Sequence, residues 1–342
     1  MSTLATHFAG VFTALVTPFR DGQVDVGAFE LLVERQLAAG VAGLVPVGTT
    51  GEAATLSFAE AHDLIARTVR LANGRAFVLA GAGTNSTDRT VEAVKSADKA
   101  GADGLLVITP YYNKPSQTGL VQHYSEVAQA TDLPIVLYSV PGRTGVEIAP
   151  STAAVLDERH ASIVGIKEAG GRCERITELR EACGPDFIIH SGDDALTLPF
   201  LALGATGVTS VVSNYAPETM VAMLEAWRSG MHDDALALHE GLRPLFEAFF
   251  IESNPGPVKA AMSELGLMNA SLRPPLTELA LASREILLDA LSHFQIVERD
   301  DLTKKHTRAA EPLALNHQSG RSTVTAASAN QVEPAGGKSS SV

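Results

Sequence analysis

Ser162-Ile163-Val164-Gly165-Ile166-Lys167-Glu168-Ala169 is an apolar run of strand length that carries a lysine to the point where a buried strand gives way to a loop. An ammonium is costly to desolvate there. Burial favours the neutral amine, the form that attacks a carbonyl and makes a Schiff base. A lysine so placed can also simply snorkel outward. What surrounds it decides between the two. Upstream, Leu133-Pro134-Ile135-Val136-Leu137-Tyr138 is a second apolar run ending in a polar ring, followed by Ser139-Val140-Pro141-Gly142-Arg143-Thr144-Gly145. Two strands thus deliver Lys167 and Tyr138 at their C-terminal ends.

Working outward, six more apolar runs read as strands, at about 11–17, 43–47, 76–81, 104–108, 186–190 and 207–212. Between the strands lie segments with apolar residues at helical spacing, at 28–39, 58–72, 87–100, 117–130, 150–158, 172–182 and 193–203. Near-continuous apolar strands alternating with helices imply parallel pairing. Eight such units predict an α/β fold, a (β/α)8 TIM barrel, whose active site lies at the C-terminal ends of the strands. Ser57-Phe58-Ala59-Glu60 has the pattern of a capping box, and Pro217 suits a first helical turn. Gly40, Gly101 and Gly204 stand where helices end in a left-handed turn.

After residue 215 helices follow one another without strands, at about 217–229, 231–250, 256–265 and 276–293. The expected organisation is a barrel domain at 1–225, a small C-terminal helical domain at 226–297 and a tail at 298–342. That tail is too poor in large apolar residues to offset its ordering entropy. Lys304-Lys305 within it reads as a solvated pair. With 26 basic and 39 acidic residues the net charge is −13, which disfavours nucleic acid and anionic membrane surfaces as partners. Cys173 and Cys183 are too few for a disulfide framework, and no apolar stretch has the length of a membrane span. A reducing cytoplasm is the expected setting. The two cysteines lie on one predicted helix with no histidine beside them, so no metal site is expected, and no cofactor.

Three loops fall on the expected catalytic face. Val47-Gly48-Thr49-Thr50-Gly51-Glu52 sets two hydroxyls and free backbone N–H groups between glycines, which suits a small carboxylate or a plain turn. Thr109-Pro110-Tyr111-Tyr112-Asn113-Lys114-Pro115 holds paired tyrosines in a stiff loop fit for an oligomer interface, a catalytic role or both. Ser191-Gly192-Asp193-Asp194 carries aspartates able to cap the next helix.

Together GTTGE at 48–52, TPYYNKPSQ at 109–117, YSVPGRTG at 138–145, IKEA at 166–169, SGDDA at 191–195 and NPGPVK at 254–259 resemble the dihydrodipicolinate synthase branch of the N-acetylneuraminate lyase superfamily. The resemblance spans about 9–294. It implies that Lys167 forms a Schiff base with pyruvate, and that the resulting enamine attacks the aldehyde of L-aspartate 4-semialdehyde. It further implies a proton relay of Tyr138, Thr50 and Tyr112, with Tyr112 reaching a neighbouring subunit's site in a homo-oligomer, a dimer or a tetramer. Thr49 and Thr50 would hold the pyruvate carboxylate and Arg143 that of the semialdehyde. Gly192 and Thr209 complete the substrate-binding set, Thr209 through its main-chain carbonyl.

Some positions depart from the family's pattern. Ser139 follows Tyr138 where many relatives have Asn, and Thr209 replaces a branched apolar residue. Relatives inhibited by lysine carry histidine at the place of Phe58 and an acidic residue at that of Arg89, whereas Asn85 and Tyr111 are kept. Two other functions share parts of the pattern. A pyruvate-dependent aldolase for a 2-keto-3-deoxy sugar acid or sialic acid would keep Lys167, Tyr138 and GTTGE, but Arg143 favours a short carboxylated aldehyde over a polyol. A non-catalytic keto-acid sensor would not need the lysine and the relay hydroxyls together.

Overall fold

The computed structural model describes residues 7–294. Eight parallel strands close into a barrel: β1 (Gly10–Ala14), β4 (Gly43–Val45), β5 (Phe77–Gly81), β6 (Gly104–Ile108), β7 (Ile135–Ser139), β8 (Ile163–Glu168), β9 (Ile188–Ser191) and β10 (Gly207–Ser210), with β10 returning to β1. Outside the ring, β2 (Phe19–Arg20) and β3 (Gln23–Val24) form a small antiparallel hairpin that the apolar pattern does not announce. All eight predicted strands are present, several shorter than their apolar runs. In the first, Val16 and Thr17 remain buried beyond Leu15, whose N–H makes the last bond to β4, so the run records burial and overshoots the ladder.

Alternation along the strands builds two apolar layers. Phe12, Val45, Leu79, Leu106, Val136 and Ile188 fill the barrel interior, whereas Val11, Leu44, Val78, Leu105, Leu137 and Ile166 face the surrounding helices. With Ile166 turned outward, Lys167 turns inward. Register then sets its neighbours, Tyr138 on β7 to one side and His190 on β9 to the other.

The helices follow the predicted periodicity with local corrections. Ser57 and Glu60 form the capping box at the start of the helix Phe58–Ala72, and Pro217 opens the helix Pro217–Arg228. Gly40, Gly101 and Gly204 have φ of +79°, +88° and +101°. The segment expected at 193–203 is instead a 3₁₀ turn, Asp194–Leu196, followed by a helix, Thr197–Ala202, that takes Pro199 in its first turn, where a missing N–H is tolerated. The last expected helix, 276–293, starts at 281, where the Glu252 carboxylate accepts from the Ala280 N–H. A short helix, Pro141–Thr144, occupies what the sequence presents as a loop, and it carries Arg143. The predictions for the tail at 298–342 lie outside the described residues.

Candidate active site

Lys167 and Tyr138 meet at the C-terminal ends of neighbouring strands, with the lysine Nζ 4.2 Å from the centroid of the tyrosine ring. Both side chains are buried. They line a cavity of about 140 Å³ together with Thr49, Thr50, Arg143 and Gly192. Six of the eight residues singled out from the sequence therefore share one chamber. A larger cavity of about 390 Å³ adjoins it through Thr49, Tyr138, Arg143 and Asn254, which line both, and Tyr111 stands in its wall.

Gly192 is required by space. A β-carbon there would lie 2.6 Å from the Ala169 Cβ and 3.1 Å from the Lys167 Cε, so any side chain would press on the lysine stem. Its N–H donates to the Glu168 carbonyl at 2.8 Å. Glu168, next to Lys167, is fully buried against the Arg175 guanidinium at 3.1 Å and accepts from the Gly170 N–H at 2.7 Å. Burial raises its carboxyl above the usual range, an effect that Arg175 opposes.

Two predicted residues stand apart from the chamber wall. Tyr112 is 88% exposed, at φ +76°, and lines neither cavity of its own chain. Thr209 is buried on β10 and does not line them either. Its hydroxyl lies 3.1 Å from the Nδ1 of His190, whose Nε2 is 2.6 Å from the Phe8 carbonyl. A carbonyl only accepts, so Nε2 carries the proton and Nδ1 accepts from the threonine. Burial pushes the pKa of this imidazole down to about 4 and keeps it neutral.

Several residues around the chamber were quoted in the sequence without a role at the site. Asn254 donates from Nδ2 to the Thr50 Oγ1 at 3.0 Å, and its main-chain oxygen accepts from the Arg143 Nη2 at 3.3 Å. Asp193 lines the smaller cavity while its carboxylate caps the Ala195 N–H at 3.0 Å. Asp194 turns away and receives the Val211 and Val212 N–H groups at 2.9 and 3.1 Å, tying the loops after β9 and β10 together. Thr109 donates to the Thr144 hydroxyl at 3.0 Å, joining the tyrosine loop to the short arginine helix. A polar residue at the end of an apolar strand was the available signal for Asp193. Asn254 lies outside the strand pattern and entered the reading only as the first residue of the NPGPVK motif, with no role assigned.

A strand-end lysine beside a phenol, two threonine hydroxyls and an arginine makes a site for imine chemistry on a small keto acid. The model of the Dihydrodipicolinate synthetase family matches residues 7–294. This chain belongs to that family. A similar curated relative, 4-hydroxy-tetrahydrodipicolinate synthase of Thermodesulfovibrio yellowstonii, is 46% identical over 291 residues, covering 85% of this chain and all of the relative. Among solved structures, the 4-hydroxy-tetrahydrodipicolinate synthase of Methylacidiphilum fumariolicum is 46% identical, with a TM-score of 0.83 over 84% of this chain and 96% of its own. The family's enzyme from Cyanidioschyzon merolae, solved with lysine bound, is 40% identical, with a TM-score of 0.81 over 84% of this chain and 99% of its own.

Proposed function

We propose that this chain is a 4-hydroxy-tetrahydrodipicolinate synthase, a lyase that condenses pyruvate with L-aspartate 4-semialdehyde on the route to diaminopimelate and lysine. The observation that carries the reading is the placement of Lys167 beside Tyr138 in a chamber that also holds Thr49, Thr50 and Arg143. The relatives' names favour it over a sugar-acid aldolase or a keto-acid sensor.

In the proposed mechanism the neutral Lys167 amine attacks the keto carbon of pyruvate, whose carboxylate rests on the Thr49 hydroxyl and the backbone N–H groups of Thr49 and Thr50. Tyr138 and Thr50 pass protons to and from the carbinolamine oxygen, which leaves as water. Loss of a methyl proton from the imine gives the enamine. Its methylene carbon bonds to the aldehyde carbon of the semialdehyde, and the aldehyde oxygen takes up a proton. The substrate amine then closes the ring on the imine carbon and releases Lys167. Arg143 binds the semialdehyde carboxylate as a planar fork against a planar anion. Tyr112, exposed on its own chain, is assigned to a second copy's site in a dimer or a tetramer. Two unpaired cysteines support a cytoplasmic setting.

The test is borohydride reduction in the presence of pyruvate, followed by peptide mapping. One reduced pyruvyl group should appear on the peptide holding Lys167, and label on another lysine would overturn the assignment. Arg143→Ala should trap pyruvate as the parent does. Its condensation rate should fall between about 10- and 200-fold, the equivalent of a charged hydrogen bond of about 1.5–3 kcal/mol. Condensation at the parental rate would assign the semialdehyde carboxylate to another residue.

A further inference from the structure

The loop that carries Thr50 is held from a distant part of the chain. Asn254 donates to the Thr50 hydroxyl, across 204 positions of sequence. Five residues on, Lys259 donates to the Glu52 Oε1 at 2.6 Å and to the Thr17 carbonyl at 2.9 Å, with both charged side chains buried. The second oxygen of Glu52 accepts from the Arg273 N–H at 3.0 Å. The ends of 50–52 are therefore clamped to the segment 254–259 at two points, one neutral and one ionic.

The neutral contact has a direction. A threonine hydroxyl has one proton and two lone pairs, and the Asn254 amide occupies a lone pair. The Thr50 proton stays available to the chamber, and the hydroxyl can pass a proton from one neighbour to the next. The amide oxygen of Asn254 is buried and has no partner among the described residues. An acceptor at that place would capture the Thr50 proton and block transfer. The same residue's main-chain oxygen holds Arg143.

We infer that Asn254 is a positioning residue that fixes the proton direction of the Thr50 hydroxyl while aligning Arg143, with the Glu52–Lys259 pair as its rigid anchor. This rests on the proposed role of Thr50 in imine formation.

The experiment uses the full chain and its Asn254→Asp and Asn254→Ala variants, with the rate of imine formation followed by timed borohydride quenching with pyruvate alone. Near pH 8, Asn254→Asp should form the imine about 100-fold more slowly than the parent, within the range of a lost proton-transfer group. The apparent affinity for pyruvate should change by no more than about twofold. Protonation makes the new carboxyl a donor, so the variant-to-parent rate ratio should rise as the pH falls towards 5.5. Asn254→Ala should be slowed less, with a ratio independent of pH. Equal losses in the two variants with flat ratios would show a merely structural role and overturn the proposal, as would parental rates in both. A parent that traps pyruvate but fails to condense the semialdehyde would sink the proposed function and leave the Asn254 reading to the trapping rates.

Discussion

His123 and His190 are buried imidazoles that the proposed chemistry does not use. Burial holds both near pKa 4, against about 6.5 in an unfolded chain. As the pH falls below 6.5 the unfolded state takes up these protons first, so the stability they confer is complete above that value and erodes towards pH 4. Asp194 works the other way. Burial raises its carboxyl to about 6, so the folded state gains its proton first as the pH falls. Asp157, Glu168 and Asp193, whose carboxyls burial also raises, act in the same sense as Asp194 and oppose the two histidines. His123→Gln should remove up to about one proton equivalent, about 1 kcal/mol per pH unit, from the pH dependence of stability between pH 6 and 4.5, whatever its effect at neutral pH. Urea unfolding at three pH values measures it, and an unchanged slope would show that the His123 imidazole is protonated in the fold.

At the scale of elements, strands were easier to recognise than contacts between loops. A parallel strand covered on both faces is a continuous apolar run, so all eight were legible, and Lys167 and Tyr138 stood out as polar ends of such runs. The short helix under Arg143 was not, because four residues beginning with Pro141 and Gly142 look like a turn. The contact of Asn254 with Thr50 was equally hidden, although its motif was not, since a hydrogen bond spanning 204 positions leaves no local period. Phe58 and Arg89 stood out only through the family resemblance, and the structure places each in the first turn of a helix. Phe58 is half exposed at the first position of its helix, and Arg89 is exposed in the first turn of the helix Thr87–Lys99. In the lysine site that the resemblance implies, a cationic α-amino group would be repelled by Arg89 and would find no hydrogen-bond partner in Phe58. Each loss costs about 1–2 kcal/mol, weakening binding by one to three orders of magnitude. Millimolar lysine should therefore leave most activity intact. An inhibition midpoint below about 1 mM, abolished by altering Asn85 or Tyr111, would refute this.

For the whole molecule, the exposed Tyr112 ring is an argument about assembly. A large aromatic held outward at positive φ lines neither described cavity of its own chain, and a second copy is the occupant assigned to it above. Tyr112→Phe and Tyr138→Phe should each be nearly inactive. Mixed dimers with one substitution per subunit should regain part of the activity, because one of their two sites would keep both phenols. Verified heterodimers without recovery would count against sharing. How copies would assemble was not legible from one chain, since the site proposed for Tyr112 belongs to a second copy.

The clamp between Glu52 and Lys259 also limits how this chain can be recombined. Its partners lie 207 positions apart, so almost any crossover between a barrel and the C-terminal helices of two relatives separates them. A hybrid that inherits only one of the pair strands a buried charge, a fault of about 3–5 kcal/mol and a large share of a typical domain's stability. Chimaeras that survive must carry the carboxylate and the ammonium together, and the two halves of the chain can exchange only as co-adapted partners.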